Sequence, residues 1–557
     1  MSISDRKRKK DFDSPNKFSN VASEIPWFPR FDFTLQDASS MLFQKIIPSL
    51  QSDPIRNASM PPLKVLDLCA APGGKSGVLS SLLPINNSIL VSNELIENRC
   101  KILAETSSKF GFPSSLVTQN KSEDFVKAGL KQYFDIVIVD APCSGEGLFR
   151  REISRDLGHE SLKLWSPKLI RQQAKIQQKL IDDAILLVNP GMSGSKNQGV
   201  LVYMTCTFED EENEKLVEYV YKQYGCYSVS PIKIEDLDSN WGVKEVDIDI
   251  GDYCDAHSVH PAYYCLPGKI KGEGLFIAAF SIGDKIGPKR TQISTDKVSE
   301  KSRKIIPSAI ISNLSKISRK EEELVSNFVS LKPNFKNLSK HFFGDISTEI
   351  KFDILKSSSH LSKKFTNKIL EKKELKLKKF KKNSNHNDEK LFFDKNKFDI
   401  GHGNTECNSL LHVIPKSTKS ELIELTKKLN VQKFGIHCGE IKSAEFFPST
   451  ELALSSFLKK ADSKLNGTNN NKIFEICLNY NQSLLFVQGK QFLTKEEFKN
   501  LHLKIENDKS WAYCIYKEYC LGWCTIIRDT INKEENYRIN IKLEKNYRAK
   551  RTLWEIE

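Results

Sequence analysis

The sequence predicts an α/β fold, a parallel, doubly wound sheet with helices on both faces, followed by a small β-rich C-terminal domain. Three observations support this prediction. Strand-like and helix-like segments alternate between residues 26 and 283, and short β-rich runs with glycine turns return over residues 407–557. The length of 557 residues exceeds one ordinary hydrophobic core and favours two or three domains joined by linkers.

The first domain follows from its apolar runs. Residues 1–25 are polar and charged and predict a disordered basic tail. Within 26–283, the runs LKVLDL, SILVSNE, FDIVIVDAP and GVLVYMTCT predict buried strands, and the segments between them predict helices. Such alternation produces a parallel sheet whose ligand sites lie at the carboxyl ends of the strands.

The middle of the chain is less regular. Residues 284–317 are polar and predict a linker. Residues 318–406 predict a helical segment and a lysine-rich insertion. Ser318 stands three residues before Glu321, which is typical of a helix start. Residues 356–400 are rich in Lys, Asn and Ser and predict a loop or disordered insertion.

Charge and cysteine content restrict the class of protein. The net charge is +14, and residues 301–400 hold 24 Lys and Arg against 12 Asp and Glu. This surplus favours a polyanionic partner, although a solvated lysine-rich insertion explains it equally well. The absence of a long apolar run or apolar leader predicts an intracellular protein without a membrane partner. The 13 scattered cysteines predict reduced thiols and no metal site.

A candidate cofactor site follows the first strand. The sequence CAAPGGKS over 69–76 places small residues and glycines where a helix begins, so backbone N–H groups can approach a ligand. Glu94 ends the next strand, where a Rossmann-like site places the acid that binds ribose hydroxyls. The alternative is an ordinary tight turn. Without a GxGxxG or Walker motif, the pattern favours a nucleoside ligand that lacks a triphosphate.

Two cysteines stand at the ends of later strands. Asp140 and Cys143 lie in DAPCSG, and Cys206 lies in TCT. In a parallel sheet, both strand ends and the glycine turn emerge at one edge, so these groups should meet in one pocket. Taken singly, each cysteine is more often a small buried apolar residue.

These segments resemble the RNA (cytosine-C5) methyltransferase family. The matching sequences are QDASSM (36–41), DLCAAPGGKS (67–76), SNELIENRCKIL (92–103), DAPCSGEGLFRR (140–151) and YMTCTFEDEENE (203–214). Within the family, KGEGLFIAAF and FGIHCGEIKSAEFFPSTELALS are most similar to the bacterial branch that methylates small-subunit ribosomal RNA. The second of these resembles that branch's PUA-like RNA-binding domain. The resemblance implies a Rossmann-like methyltransferase sheet that uses S-adenosylmethionine.

The resemblance also implies roles for individual residues. Cys206 would attack carbon 6 of cytosine, Cys143 would assist loss of the carbon-5 proton and release of the enzyme, and Asp140 would bond the base or the cofactor. The remaining cofactor-binding residues would be Cys69, Ala70, Ala71, Pro72, Gly73, Gly74, Lys75 and Glu94. Lys75 is also a candidate for stabilising the thiolate of Cys206.

Several alternatives stay open. Asn120-Lys121 stands where the family usually carries an acid for the adenine side of the cofactor. Arg99 and Arg150 either contact RNA or form ion pairs on helix surfaces. The partner is a structured RNA, ribosomal or transfer, and a catalytically inactive RNA-binding assembly factor is the other hypothesis. We expect a monomer. The run RKRKK at 6–10 predicts a nuclear or nucleolar location if the source is eukaryotic.

Overall fold

The computed structural model describes most of residues 63–283 and several segments of the C-terminal part. The described residues are 63–84, 88–149, 160–190, 199–234, 242–269, 273–283, 315–316, 319, 352–358, 409–442, 445–454, 474–501, 503, 505, 508–516, 519–531 and 534–543. Outside them lie the predicted tail 1–25, nearly all of the linker 284–317, Arg150, the capping pair Ser318 and Glu321, and most of the stretch 356–400.

Parallel strands form the centre of the first sheet. They are β1 (Leu63–Asp67), β2 (Ser88–Asn93), β3 (Ser115–Thr118), β4 (Ile136–Asp140) and β5 (Gly199–Thr205). Their order is β3-β2-β1-β4-β5, and each neighbouring pair is parallel. The direction of winding reverses between β1 and β4, which is where ligands bind in doubly wound sheets.

Helices connect these strands and cover both faces of the sheet. They are α1 (Gly74–Leu82), α2 (Glu97–Phe110), α3 (Ser122–Lys127), α4 (Glu160–Leu164), α5 (Pro167–Leu187) and α6 (Glu214–Tyr224). Neighbouring residues of a strand face opposite sides. Val65 shares a core cluster with Val78 of α1, whereas Leu66 shares another with Ile181 of α5. The predicted doubly wound fold with helices on both faces is therefore confirmed.

The longest of these helices, α5, begins and packs as its sequence dictates. Ser166 precedes it, and the Ser166 hydroxyl accepts a hydrogen bond from the backbone N–H of Leu169 at 3.2 Å. Pro167 is the first helical residue, where its missing N–H costs nothing. The buried side chains recur at helical spacing along the face that packs on the sheet. No helix among the described residues is long and apolar enough to cross a membrane.

Antiparallel strands extend the sheet beyond β5. They are β6 (Val229–Pro231), β7 (Val243–Asp249), β8 (Val259–Cys265) and β9 (Leu275–Ile282). The order continues as β5-β9-β8-β7, and β6 pairs with the end of β9. All eight residues of β9 are buried, so this strand is part of the core of the first domain.

Two cysteines of the first domain lie side by side. The Cα atoms of Cys226 and Cys254 are 5.7 Å apart, a separation that a disulfide can span. Cys226 follows α6 and Cys254 lies between β7 and β8. Their proximity is set by the packing of the sheet edge, which the spacing of 28 residues does not reveal.

The C-terminal part is β-rich, as predicted, and its described residues form two further sheets. The strands of the first, in their order across the sheet, are β10 (Ser315–Lys316), β11 (Phe352–Ser358), β12 (Ser409–Pro415), β14 (Ile436–Lys442) and β15 (Glu445–Pro448). Those of the second, again in order, are β16 (Phe474–Leu478), β17 (Lys509–Tyr516), β18 (Tyr519–Ile531) and β19 (Glu534–Ile541). Helices of the C-terminal part include α8 (Thr450–Leu454), α9 (Tyr480–Val487) and α10 (Lys495–Lys499).

Two features of this part differ from the predicted boundaries. The strand β11 (Phe352–Ser358) lies within the segment predicted to be helical and lysine-rich, and it pairs with β12 over its whole length. Helix α7 (Lys419–Lys428) and strand β13 (Val431–Phe434) belong to the first sheet, since β13 pairs antiparallel with β3. Apolar side chains of α7 and β13 join the core beneath that sheet. The C-terminal part is therefore built into the first domain, because it supplies an edge strand and a covering helix.

Candidate active site

The glycine turn joins the end of β1 to the start of α1. Gly73 has φ 110°, a left-handed conformation that favours glycine. A Cβ atom at Gly73 would lie 2.9 Å from the Cγ2 atom of Thr106. The backbone N–H of Ala70 donates to the carbonyl of Asn93 at 2.8 Å, which ties the turn to the end of β2. No side chain caps the start of α1, so this helix end can receive a polar ligand.

Asp67 places a buried carboxylate beside this turn. It is 1% exposed, and its Oδ2 atom accepts a hydrogen bond from the Ser76 hydroxyl at 2.6 Å. Its Oδ1 atom has no hydrogen-bond partner among the residues that the structure describes. Burial raises the pKa of Asp67 to about 7, despite the bond from Ser76. A buried carboxylate oxygen that lacks a partner is suited to a cationic or hydrogen-bond-donating ligand group.

Glu94 is connected to the glycine turn through Arg99. Glu94 is buried, and its Oε1 atom accepts from the backbone N–H of Ile96 at 2.9 Å. Arg99 lies 3.3 Å from the Oε2 atom of Glu94 and donates to the carbonyl of Ala71 at 2.9 Å. Arg99 thus makes an ion pair within the protein, the second of the two roles considered for it, and it fixes Glu94 relative to the turn.

Lys75 at the start of α1 and Asp140 at the end of β4 form an ion pair. The Lys75 ammonium lies 2.7 Å from the Oδ2 atom of Asp140. Burial alone would lower the pKa of Lys75, but the Asp140 carboxylate outweighs it, and the charge of Cys206 adds to the effect. The pKa of Lys75 is therefore raised, and the ammonium stays charged beside both groups.

The two strand-end cysteines meet at the same edge. The Sγ atoms of Cys143 and Cys206 are 3.0 Å apart, and the backbone N–H of Cys206 points at the Cys143 sulfur at 3.3 Å. The hydrogen bond to Cys206, burial and the charge of Cys206 raise the pKa of Cys143 well above its ordinary value. Cys143 is therefore the member of the pair that holds its proton more tightly than an ordinary thiol.

The buried side chain of Glu212 helps to hold the turn that contains Cys143. Glu212 accepts the backbone N–H of Ser144 at 3.1 Å and the side-chain amide of Gln177 at 2.6 Å. The same amide donates to the carbonyl of Pro142 at 2.9 Å. Residues on both sides of Cys143 are thus held by one Glu–Gln pair, so the sulfur of Cys143 has a fixed position.

Backbone contacts also join the Cys143 and Cys206 turns to each other. The N–H of Gly147 donates to the carbonyl of Cys206 at 2.8 Å, and the hydroxyls of Ser144 and Thr207 are 2.7 Å apart. A Cβ atom at Gly147 would lie 2.8 Å from the carbonyl of Gly274 and 2.9 Å from that of Cys206. Only glycine permits this close approach, and the approach holds the Cys143 turn against the Cys206 turn.

The structure brings together the side chains that the sequence singled out. At the carboxyl edge of the parallel strands lie the turn formed by Cys69–Lys75 and, beside it, the side chains of Glu94, Asp140, Cys143 and Cys206. Burial raises the pKa of the Cys69 thiol, with nearby carboxylates adding to the effect, so Cys69 stays neutral. The Oδ1 atom of Asn120 accepts a hydrogen bond from the backbone N–H of Asn430 at 3.0 Å.

Sequence reasoning missed three supporting residues. Asp67 ends β1 beside the glycine turn, and its position at a strand end is a signal that could have identified it. Glu212 lies within the matching segment 203–214, but its contacts with Ser144 and Gln177 are visible only in the structure. Gln177 lies in the middle of α5 without any local motif, so only the tertiary contact with Pro142 shows its role.

Known proteins with similar sequences match mainly the first domain. Residues 58–281 match the family described as 16S rRNA methyltransferase RsmB/F. The ribosomal RNA small subunit methyltransferase F of Cronobacter sakazakii is 34% identical over 192 residues, which are 34% of this chain and 35% of that protein. The protein of the same name from Escherichia coli K12 is 35% identical over 192 residues, with the shares 34% and 35%. The chain thus spans about a third of the length of these curated relatives.

Two of the solved structures that resemble part of this chain come from Pyrococcus horikoshii. NSun6 from Pyrococcus horikoshii with SFG has 24% identity and a TM-score of 0.35, covering 47% of this chain and 56% of that one. A methyltransferase homolog protein from the same organism has 19% identity and a TM-score of 0.34, with coverages of 48% and 81%. At these TM-scores, the likeness adds nothing to the sequence match.

Proposed function

We propose that the chain is an RNA (cytosine-C5) methyltransferase with Cys206 as its nucleophile, and the match of residues 58–281 to the 16S rRNA methyltransferase RsmB/F family supports this proposal. Its methyl donor is S-adenosylmethionine. The observation that carries the proposal is the contact of two thiols, with sulfur atoms 3.0 Å apart, at the strand edge that holds Lys75 and Asp140.

The residues at the glycine turn fit this cofactor. The unpartnered Oδ1 atom of Asp67 is a suitable acceptor for an α-ammonium group, and the pairing would favour the ionised carboxylate. Glu94 would accept from ribose hydroxyls while Arg99 holds its other side. The turn from Cys69 to Lys75 would surround the ligand with backbone groups. When bound, S-adenosylmethionine supplies an electrophilic methyl group.

Cys206 is proposed to act as a thiolate. The ammonium of Lys75 favours a negative charge on the Cys206 sulfur, and the thiol of Cys143 donates to it. The thiolate adds to carbon 6 of the target cytosine, a carbon–sulfur bond forms, and the electron pair of the carbon 5–carbon 6 bond moves towards carbon 5. Carbon 5 thereby becomes nucleophilic, which divides one difficult reaction into easier steps.

Cys143 is proposed to act after the methyl group has been transferred. The hydrogen bond to Cys206, burial and the charge of Cys206 all raise its pKa. The bond and the charge disappear once Cys206 is bound to the base, so the pKa of Cys143 falls and the thiol releases its proton to solvent. The resulting thiolate accepts the proton of carbon 5, the carbon–sulfur bond breaks, and the Cys206 thiolate is restored.

Asp140 is placed to orient the base or the cofactor. Its Oδ2 atom is held by Lys75 at 2.7 Å, so the carboxylate is fixed and charged near both thiols. A carboxylate accepts from the exocyclic amino group of cytosine, and this is the role we assign to it, with a cofactor contact as the alternative. The target cytosine must be unpaired or flipped out of a helix to enter the site.

Ribosomal RNA is the substrate that we propose. The relatives from Cronobacter and Escherichia are named as methyltransferases of small-subunit ribosomal RNA, and we propose a PUA-like RNA-binding role for the β-rich C-terminal part. Transfer RNA is the alternative substrate. The change to Asn120-Lys121 is the observation that favours a catalytically inactive RNA-binding factor instead.

Replacing Cys206 by alanine tests the mechanism. Methyl transfer from labelled S-adenosylmethionine to RNA should disappear in Cys206→Ala, because no adduct with carbon 6 can form. Cys477→Ala is the control, since Cys477 is an exposed thiol on β16 and should leave activity unchanged. Full activity in Cys206→Ala would refute the mechanism.

Replacing Cys143 tests the release step. Without the proton acceptor, the carbon–sulfur bond persists, and Cys143→Ala should accumulate a protein–RNA adduct on denaturing gels. The double variant with Cys206→Ala should form no adduct. Absence of an adduct from the single variant, in a protein that still binds RNA and cofactor, would remove the proposed role of Cys143.

Two measurements separate the alternatives. Calorimetry with S-adenosylmethionine distinguishes the enzyme from an inactive binding factor, which would bind none. Bisulfite sequencing of total RNA after depletion of the protein should reveal a lost 5-methylcytosine in small-subunit ribosomal RNA. A loss confined to transfer RNA would reject the ribosomal substrate but keep the reaction.

A further inference from the structure

Asn430 fastens the C-terminal part to the loop that follows β3. Its backbone N–H donates to the Oδ1 atom of Asn120 at 3.0 Å, and its carbonyl accepts from the N–H of Gln119 at 2.9 Å. Its side-chain amide donates to the carbonyl of Gln119 at 3.2 Å. This loop lies at the same sheet edge as the glycine turn. One residue of the C-terminal part thus holds two successive residues of the first domain.

The first connection to the glycine turn runs through Asn93. The backbone N–H of Asn120 donates to the Oδ1 atom of Asn93, and the Asn93 amide donates to the carbonyls of Asn120 and Leu68, each at 3.0 Å. Leu68 directly precedes the turn, and the carbonyl of Asn93 also accepts from Ala70. Asn93 and Asn120 are both at least 95% buried, so these bonds are shielded from water and position the chain firmly.

The second connection reaches the neighbour of Glu94. The side-chain amide of Gln119 donates to the carbonyl of Leu95 at 3.3 Å. The backbone N–H of Glu94 donates to the carbonyl of Thr118 at 3.0 Å, immediately before Gln119. A displacement of Gln119 would therefore shift Glu94, the proposed ribose-binding residue, as well as the glycine turn.

From these contacts we propose that Asn430 is a positioning residue for the cofactor site. The proposal rests on the proposed function, since it takes the glycine turn and Glu94 as the seat of S-adenosylmethionine. Asn430 acts through Gln119 and Asn120 and touches no ligand itself. The Asn120 side chain, which stands where the family usually carries an acid, joins the first domain to the C-terminal part. The C-terminal part thereby completes the cofactor site of the first domain.

The opposite end of the same interface provides a matched control. Glu421 of α7 lies 2.6 Å from the Lys64 ammonium and accepts from the Tyr133 hydroxyl at 2.9 Å. Lys64 belongs to β1 near its amino end, and Tyr133 precedes β4. Glu421→Ala therefore weakens the attachment of the C-terminal part at the amino edge of the strands, far along the sheet from the glycine turn.

The experiment measures the Kd for S-adenosylmethionine by calorimetry on the full chain, with thermal unfolding of each variant. Asn430→Ala removes the side-chain bond to the carbonyl of Gln119, and Asn120→Ala removes the acceptor of the Asn430 backbone N–H. Each should raise the Kd about threefold to tenfold, as expected for one or two net hydrogen bonds. The double variant should raise it by less than the product of the two, because both lost bonds attach the same residue to the same loop. Asn120→Asp keeps the acceptor for Asn430 and should stay within about twofold of wild type. The value of kcat at saturating cofactor should not change.

The Glu421→Ala control decides whether the change in Kd comes from the position of the loop after β3 or from a general loosening of the C-terminal part. Glu421→Ala should lower the unfolding temperature and leave the Kd unchanged. The inference is overturned if wild type binds and the Asn430→Ala Kd is unaltered, or if Glu421→Ala raises the Kd as much as Asn430→Ala does. Failure of the wild-type chain to bind the cofactor would overturn the proposed function together with this inference.

Discussion

Replacing Asp67 by asparagine should make the ligand-free protein more stable and its cofactor binding weaker. The Oδ1 atom of Asp67 is buried without a partner, and burial raises the pKa of this carboxyl from 3.8 to about 7. The folded-state pKa lies above the unfolded value. The contribution of Asp67 to stability is therefore fully present below pH 3.8 and is lost as the pH rises through about 7.

The size of this effect follows from the shift. About three pKa units correspond to about 4 kcal/mol in full, of which about 3 kcal/mol develops between about pH 5 and pH 8. Asparagine keeps an acceptor for Ser76 but carries no charge. The unfolding free energy of Asp67→Asn minus that of wild type should therefore increase by about 3 kcal/mol over this pH interval.

Urea denaturation of both proteins without ligand, followed by circular dichroism at each pH, measures the difference. Calorimetry should show that Asp67→Asn binds S-adenosylmethionine about tenfold or more weakly, because a neutral amide replaces a charge-assisted acceptor. A stability difference that does not vary with pH would refute the buried ionisation. Unchanged cofactor affinity would refute the proposed contact with the α-ammonium group.

Three further substitutions test how the site is held. Arg99→Met removes the link between Glu94 and the glycine turn, so steady-state kinetics should show a KM for S-adenosylmethionine raised about tenfold at constant kcat. Glu212→Gln replaces a double acceptor by an amide facing two donors, so kcat should fall about tenfold or more while calorimetry finds unchanged cofactor affinity; a normal kcat would contradict this support role. Gly147→Ala inserts a Cβ atom 2.9 Å from the Cys206 carbonyl and should lower both kcat and the unfolding temperature, at a cost of about 1–3 kcal/mol. An unaltered melting curve would show that the two turns can separate freely.

Much of the first domain was predictable because its signals are local. Buried strands such as β4 consist of consecutive apolar residues, and the helix that follows β1 begins where the glycines stand. Once the strands are parallel, their carboxyl ends must share one edge. The meeting of Cys143 with Cys206 therefore needed only the order of the strands and the positions of the two cysteines within them.

The sequence by itself determined the class of fold, the edge at which the candidate site lies and the side chains that are proposed to carry the chemistry. Only the tertiary structure decided how those side chains are held. Gln177 and Glu212 are 35 residues apart, and Asn430 lies 310 residues from Asn120. Contacts over such separations leave no periodic pattern in the chain, because they depend on how complete elements pack. For the same reason, the sequence predicted the C-terminal part as a separate domain. In the structure, β13 from that part pairs with β3 and extends the sheet of the first domain.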